Sequence, residues 1–115
     1  NLKLILGIHK RLMKRLNPKI AGKIRKVDVW VGQKKGLNPE FIKEELKLLC
    51  NPGLWPIISE EQIKAWHVRF EHIHGFEDGN GRTGRILMNL QRLKINLPLL
   101  IIYDKDKYFY YEWFK

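Results

Sequence analysis

Apolar residues at Ile5, Ile8, Leu12 and Leu16 recur near helical spacing and Asn17-Pro18 closes the run, which predicts a helix over 2–16 with one face on a core. The period then changes. Val27, Val29 and Val31 alternate with Lys26, Asp28 and Trp30, bounded by Gly22 on one side and Gly32 and Gly36 on the other, which predicts a short β-hairpin over about 23–36. Asn38 offers an N-cap with Pro39 at the first helical position, and Phe41, Ile42, Leu46 and Leu49 form an apolar stripe that ends at Asn51-Pro52-Gly53. Ser59 and Gln62 make a capping-box pattern ahead of Ile63, Trp66, His67, Phe70 and Ile73, which share one face of a third helix. A fourth helix is marked by Ile86, Leu87, Leu90 and Leu93 and ends at Asn96-Leu97-Pro98. The tail from Asp104 to Lys115 reads as a last helix with Tyr110, Trp113 and Phe114 turned inward. The chain is therefore expected to be all-α with one small hairpin.

Composition narrows the class. A chain of 115 residues with 44% hydrophobic and 30% charged residues has the size and balance of one globular domain, spanning 1–115. No apolar run approaches the ~18 residues of a membrane-spanning helix, so no membrane partner is expected. Cys50 is the single cysteine, which excludes an internal disulfide and suits a reducing, cytoplasmic setting, including that of a host cell into which the protein is delivered. The net charge of +10 attracts acidic partners, ATP among them, but no basic run alternates with aromatics as a single-strand-binding groove requires. Nucleic acid is not the expected partner.

The candidate chemistry is concentrated between the third and fourth helices, in His74-Gly75-Phe76-Glu77-Asp78-Gly79-Asn80-Gly81-Arg82-Thr83-Gly84-Arg85. Glycines at 79 and 81 let the backbone approach an anion, and the amides of Gly79, Asn80 and Gly81 open onto a helix N-terminus that favours negative charge. Arg82 and Arg85 are three apart and share a helix face. His74, with a pKa near neutrality, suits removal of a hydroxyl proton, whereas His9, His67 and His72 are read as structural. His72 and His74 lack the further ligands of a zinc site. Asp78 and its neighbour Glu77 are candidates for magnesium, which takes one or two carboxylates and completes its shell with water and phosphate oxygens. Phe76 is read as a core anchor for the loop. Together these are the parts of a nucleotide-phosphate site.

The segment resembles the signature of the Fic (filamentation induced by cyclic AMP) family, His-x-Phe-x-Asp/Glu-Gly-Asn-Gly-Arg-x-x-Arg, with every defining position in order. The flanks are also similar: Ile8-His9-Lys10 in the first core helix, Ala21 to Arg25 at the entry to the hairpin, Ala65 to His67 before the signature, and Ile86 to Leu90 and the Leu97-Pro98 turn after it. The resemblance implies the all-α Fic fold, a helical bundle with a β-hairpin flap, and a protein adenylyltransferase that moves AMP from ATP to a Tyr, Thr or Ser hydroxyl of another protein. On that basis His74 is the base, Asp78 the Mg2+ ligand, and Gly79, Asn80 and Gly81 the anion-binding turn. Arg82 and Arg85 would hold the β- and γ-phosphates, and Val27, Val29 and Val31 would form the flap on which the target docks. Gly75 stands where the family usually has proline, which implies more backbone freedom beside the base.

Two rival readings remain at this point: another Fic-fold reaction, with UTP or CDP-choline as donor or with removal of AMP, and a basic nucleic-acid-binding module. The family's phosphotransferring branch, with a lysine-containing turn, is disfavoured by Gly79-Asn80-Gly81. Many relatives carry an inhibitory Ser/Thr-x-x-x-Glu-Gly/Asn helix whose glutamate pairs with the second signature arginine. No glutamate here precedes glycine or asparagine. Arg85 is thus expected to be unpaired within the chain, with any off switch supplied by a separate inhibitory, antitoxin-like protein or by sequence beyond either end.

Overall fold

A computed structural model describes residues Asn1–Lys115. Its elements are α1 (Leu2–Met13), β1 (Trp30–Val31), β2 (Lys34–Lys35), α2 (Pro39–Leu49), α3 (Glu60–Ile73), α4 (Asn80–Lys94) and α5 (Lys107–Glu112), the last preceded by a 3-10 turn at Asp104–Asp106. The helix starts follow from capping. Asn1, Asn38 and Ser59 each place a side-chain oxygen on a free N–H of the first turn, of Leu4, Glu40 and Gln62 respectively. Gln62 reaches back to the Ile58 amide at 2.7 Å, one residue before the expected partner of a capping box.

The core is built by Ile5 of α1, Ile42, Leu46 and Leu49 of α2, Trp66, Phe70 and Ile73 of α3, Phe76 of the loop, and Leu87 of α4. The α3 stripe is buried at every expected position. Trp66 also donates its indole N–H to the Leu49 carbonyl at 2.8 Å, tying α3 to the end of α2.

The other faces match the expected ones only in part. In α1 the buried line is Ile5, His9 and Met13, while Leu16 lies past the helix end and is exposed. A polar His9 breaks the apolar pattern but can be buried because both ring nitrogens are hydrogen-bonded. In α2 the expected Ile42, Leu46 and Leu49 are buried, and Phe41 alone of the stripe is exposed. In α4, Ile86, Leu90 and Leu93 face outward, and the inward face is Thr83, Gly84, Leu87, Met88 and Arg92. Gly84 explains this rotation. A Cβ there would lie 3.1 Å from the Phe70 ring and overlap the Glu71 carboxylate, so α4 packs on α3 through its smallest residue.

The hairpin is shorter than its alternation predicts. Pairing is antiparallel, with Trp30 opposite Lys35 and Val31 opposite Lys34, and the Gly36 amide adds a 2.8 Å bond to the Val29 carbonyl. Gly32 has φ +64° at the first position of the two-residue turn, where a side chain would be strained. Val27 and Val31 are exposed and Val29 is half-buried, because no second layer covers this ribbon.

Candidate functional site

His74 ends α3 in the left-handed conformation, φ 49° and ψ 58°, with its N–H on the Phe70 carbonyl at 3.2 Å. That backbone is uncommon for a residue with a side chain, so the surroundings must hold it. Gly75 does not loosen it. Gly75 is buried, its carbonyl accepts the Arg25 amide at 2.9 Å, and a Cβ would lie 3.2 Å from Ile42 and 3.4 Å from Leu46. Packing removes the freedom that the glycine alone would permit.

The turn after His74 is anchored inward by two side chains. The Asn80 amide spans Phe76, accepting its N–H at 2.9 Å and donating to its carbonyl at 2.7 Å. Phe76 is fully buried and stacks on the His9 ring at 3.7 Å between centroids. His9 donates from Nε2 to the Asp78 carbonyl at 2.8 Å and accepts the Gly22 amide at Nδ1, an arrangement that requires the neutral ring. Burial lowers its pKa in the same sense. The sequence reads His9 as structural without showing that it props the signature loop, because the two are 69 residues apart.

Gly79 caps α4 with φ +79°, and its N–H is taken by the Asp78 carboxylate at 2.8 Å. The first backbone bond of α4 is Thr83 to Gly79, so the amides of Asn80, Gly81 and Arg82 have no partner within the chain. The free amides thus lie one residue later than the Gly79–Gly81 set expected from sequence. The Arg85 guanidinium folds over Gly81, where a Cβ would approach it to 3.0 Å. A cation and free N–H groups therefore meet at one helix start, the physical basis of an anion site. Arg82 is exposed on the same helix.

A cavity of about 770 Å3 lies beside this helix start. It is lined by Val31, Lys34 and Lys35 of the hairpin, by His74 and Arg85, and by the aromatic Tyr110, Tyr111 and Phe114, among others. The structure thus brings His74, Arg85 and Val31 together around one space. Asp78, Gly79, Asn80, Gly81, Arg82, Val27 and Val29 lie outside its lining. The aromatic wall was not foreseen, since a Tyr-rich tail at the chain end carries no signal of where it folds back.

Burial lowers the pKa of His74, helped by the Arg25 cation and opposed by the Glu71 carbonyl, so the ring is neutral near pH 7 and free to accept a proton. Arg85 makes no ion pair within 4.0 Å, though Glu71 is near enough to feel its charge. For Asp78, one carboxylate oxygen is used by Gly79 and the other has no protein partner, which suits a hydrated magnesium carrying phosphate oxygens.

Fully buried His67 pairs with Glu71, which is mostly buried and itself part of the cavity lining. Burial pushes His67 down to about 4 and Glu71 up to about 7, so their 4.0 Å approach is not an ion pair near neutrality. His67 is held neutral by donating from Nδ1 to the Gly84 carbonyl and accepting the Tyr110 hydroxyl at 2.6 Å. The signs oppose. The lowered His67 contributes stability that is present above its unfolded pKa and lost as pH falls towards 4; the raised Glu71 contributes stability present below its unfolded value and lost as pH rises through 7. Glu71→Gln should therefore stabilise the chain by about 3 kcal/mol at pH 8 and by little at pH 4.5. Urea melts at both pH values check this, and an equal effect at the two would contradict it.

The Fic/DOC family profile matches residues 1–91, which includes the hairpin, His74 and the whole helix start just described. The chain belongs to the Fic/DOC family. Among its relatives, the protein adenylyltransferase fic-1 of Caenorhabditis elegans is 33% identical over 111 residues, covering 93% of this chain and 22% of that protein. The protein adenylyltransferase Fic of Nematostella vectensis is 30% identical over 116 residues, covering 95% of this chain and 26% of the relative. The chain thus spans about a quarter of the length of these curated relatives. In structure it is similar to Fic-1 (residues 134–508) of C. elegans, with a TM-score of 0.83 and 29% identity over 97% of this chain and 34% of that one. A Fic-domain signaling protein of Bacteroides thetaiotaomicron, at TM-score 0.79 and 24% identity, covers 97% of this chain and 46% of its own and shows the shared fold. The five helices and small antiparallel hairpin are the Fic fold. No helix is long and apolar enough to cross a membrane.

Proposed function

We propose that this Fic domain transfers AMP from ATP to a hydroxyl side chain of a target protein and releases pyrophosphate. The observation that carries the reading is the single cavity shared by neutral His74, Arg85 and the edge of the hairpin. His74 takes the proton of a Tyr, Thr or Ser hydroxyl, whose oxygen forms a bond to the α-phosphorus. The bond from that phosphorus to the bridging oxygen breaks, and the electrons leave on pyrophosphate. Arg85 and the free amides of Asn80, Gly81 and Arg82 receive the charge that develops there. Magnesium, when bound beside Asp78, neutralises phosphate charge. The hairpin, exposed and unlayered, offers main-chain groups near Val27, Val29 and Val31 to an extended target segment. The names of the relatives support the same chemistry.

Incubation with ATP labelled on the α- or the γ-phosphate tests the reaction. Label reaching protein from the α-position alone is the expected result, and γ-label in protein would mean a different transfer. The two charged roles separate by magnesium. Asp78→Asn keeps an oxygen for the Gly79 amide but loses the carboxylate charge, so its defect should shrink as magnesium is raised. Arg85→Ala should lose roughly 10²-fold at every magnesium concentration. Identical magnesium dependence in the two variants would contradict the assignment.

A further inference from the structure

We propose that Arg25 is a positioning residue for this reaction: its one guanidinium fastens both legs of the hairpin to the backbone of His74, so target surface and base share an anchor. The inference rests on the adenylyl-transfer reading above. Arg25 is 2% exposed and precedes the hairpin. Its Nε donates to the His74 carbonyl at 2.6 Å and its Nη1 to the Val27 carbonyl at 2.8 Å. Its Nη2 donates to the Leu37 carbonyl at 2.6 Å and, at 3.4 Å, to that of Ile73. The backbone amide adds the bond to Gly75. Val27 lies before β1 and Leu37 after β2, so the two ends of the ribbon meet the end of α3 at one planar group.

Each partner has a physical need for it. The last carbonyls of a helix lack internal donors, and the left-handed His74 must be held by its surroundings. The hairpin has no second layer and is exposed at both strands, so its place over the cavity depends on what fastens its legs. The ribbon also packs directly on the guanidinium, since a Cβ at Gly36 would lie 3.0 Å from Nη2. No carboxylate lies within ion-pair distance of Arg25. A buried cation held by carbonyls alone is explained by the geometry of its fork, which spreads donors in a plane as a lysine cannot. Arg25 is absent from the lining of the cavity that His74 and Arg85 share.

The test uses Arg25→Lys and Arg25→Met in the full chain, with three readouts. Calorimetric ATP affinity should stay within about twofold of wild type, while α-label incorporation into lysate proteins falls at least ~10²-fold, the scale of a misplaced catalytic group. In NMR titrations the His74 ring of Arg25→Met should titrate higher than in wild type, because a neighbouring cation is gone, while Arg25→Lys restores the midpoint without restoring transfer. In amide exchange, Gly36 and His74 should lose protection in Arg25→Lys while Leu46 in the core of α2 does not. A folded Arg25→Lys that transfers at the wild-type rate, or keeps Gly36 and His74 protection, overturns the proposal. If both variants fail to fold, exchange in the wild type decides: a common opening rate for the amides of Arg25, Gly36 and His74 supports the anchor, and independent rates overturn it. A wild-type chain that labels nothing removes the transfer reading, while titration and exchange still judge the anchor.

Discussion

His74→Ala is expected to lower AMP transfer by roughly 10² to 10⁴-fold, the usual loss on removing a general base. The ring is the one imidazole of the signature and lines the cavity with Arg85. Burial lowers its pKa, so near pH 7 the ring is mainly neutral and able to take a proton, and rate should fall as acid protonates it. ATP affinity should be nearly unchanged, because the free amides and Arg85 lie on α4. Stability should change little as well: the αL backbone of residue 74 is held through its carbonyl and its amide, which alanine retains. Label incorporation, calorimetric ATP binding and a urea melt on the same preparation check the three parts. Turnover of the variant at the wild-type rate would remove His74 from the mechanism.

Phe76→Ala should destabilise the domain by about 3–5 kcal/mol, the range for emptying a fully buried aromatic site. Against a typical total of ~5–15 kcal/mol, that places the chain near its unfolding threshold. The ring belongs to the main core cluster and stacks on His9, which in turn holds the Asp78 carbonyl and the Gly22 amide. Truncation therefore empties a core site and frees the loop at the same time. Phe76→Leu refills much of the volume and should recover most of the stability while losing the stacked contact. The urea midpoints of the two variants are the measurement. A Phe76→Ala midpoint within experimental error of wild type would show that the ring is not the anchor of this loop.

The extent to which the site was readable differs residue by residue. His74, Asp78, Arg82 and Arg85 stand out in sequence because unusual chemistry is crowded into twelve consecutive positions, a local signal. Ser59 and Asn38 were readable for the same reason, since a cap acts on amides two or three residues away. Arg25 and His9 were not readable as supports. Their partners lie 49 and 69 residues distant, and nothing in the local spacing of a lone arginine or histidine names a far carbonyl. Glu71 shows the same limit, because its raised pKa comes from the fold's burial of one helix position.

What the sequence by itself determined is the set of helices, their caps, the turn at Gly32 and the chemical content of the 74–85 segment, all of which depend on interactions within a few residues. Only the tertiary structure decided which faces of α1 and α4 turn inward. Ile86, Leu90 and Leu93 are as apolar as a core stripe, yet Thr83, Gly84 and Met88 are buried instead, because close packing of α4 on α3 rewards the small residue at Gly84 over hydrophobicity alone. It also decided how little of the Val27–Val31 alternation becomes strand, since a ribbon without a covering layer has no buried face for its period to serve. And it decided the cavity. A space bounded by hairpin, signature and C-terminal aromatics exists only when three distant stretches of chain are folded against one another.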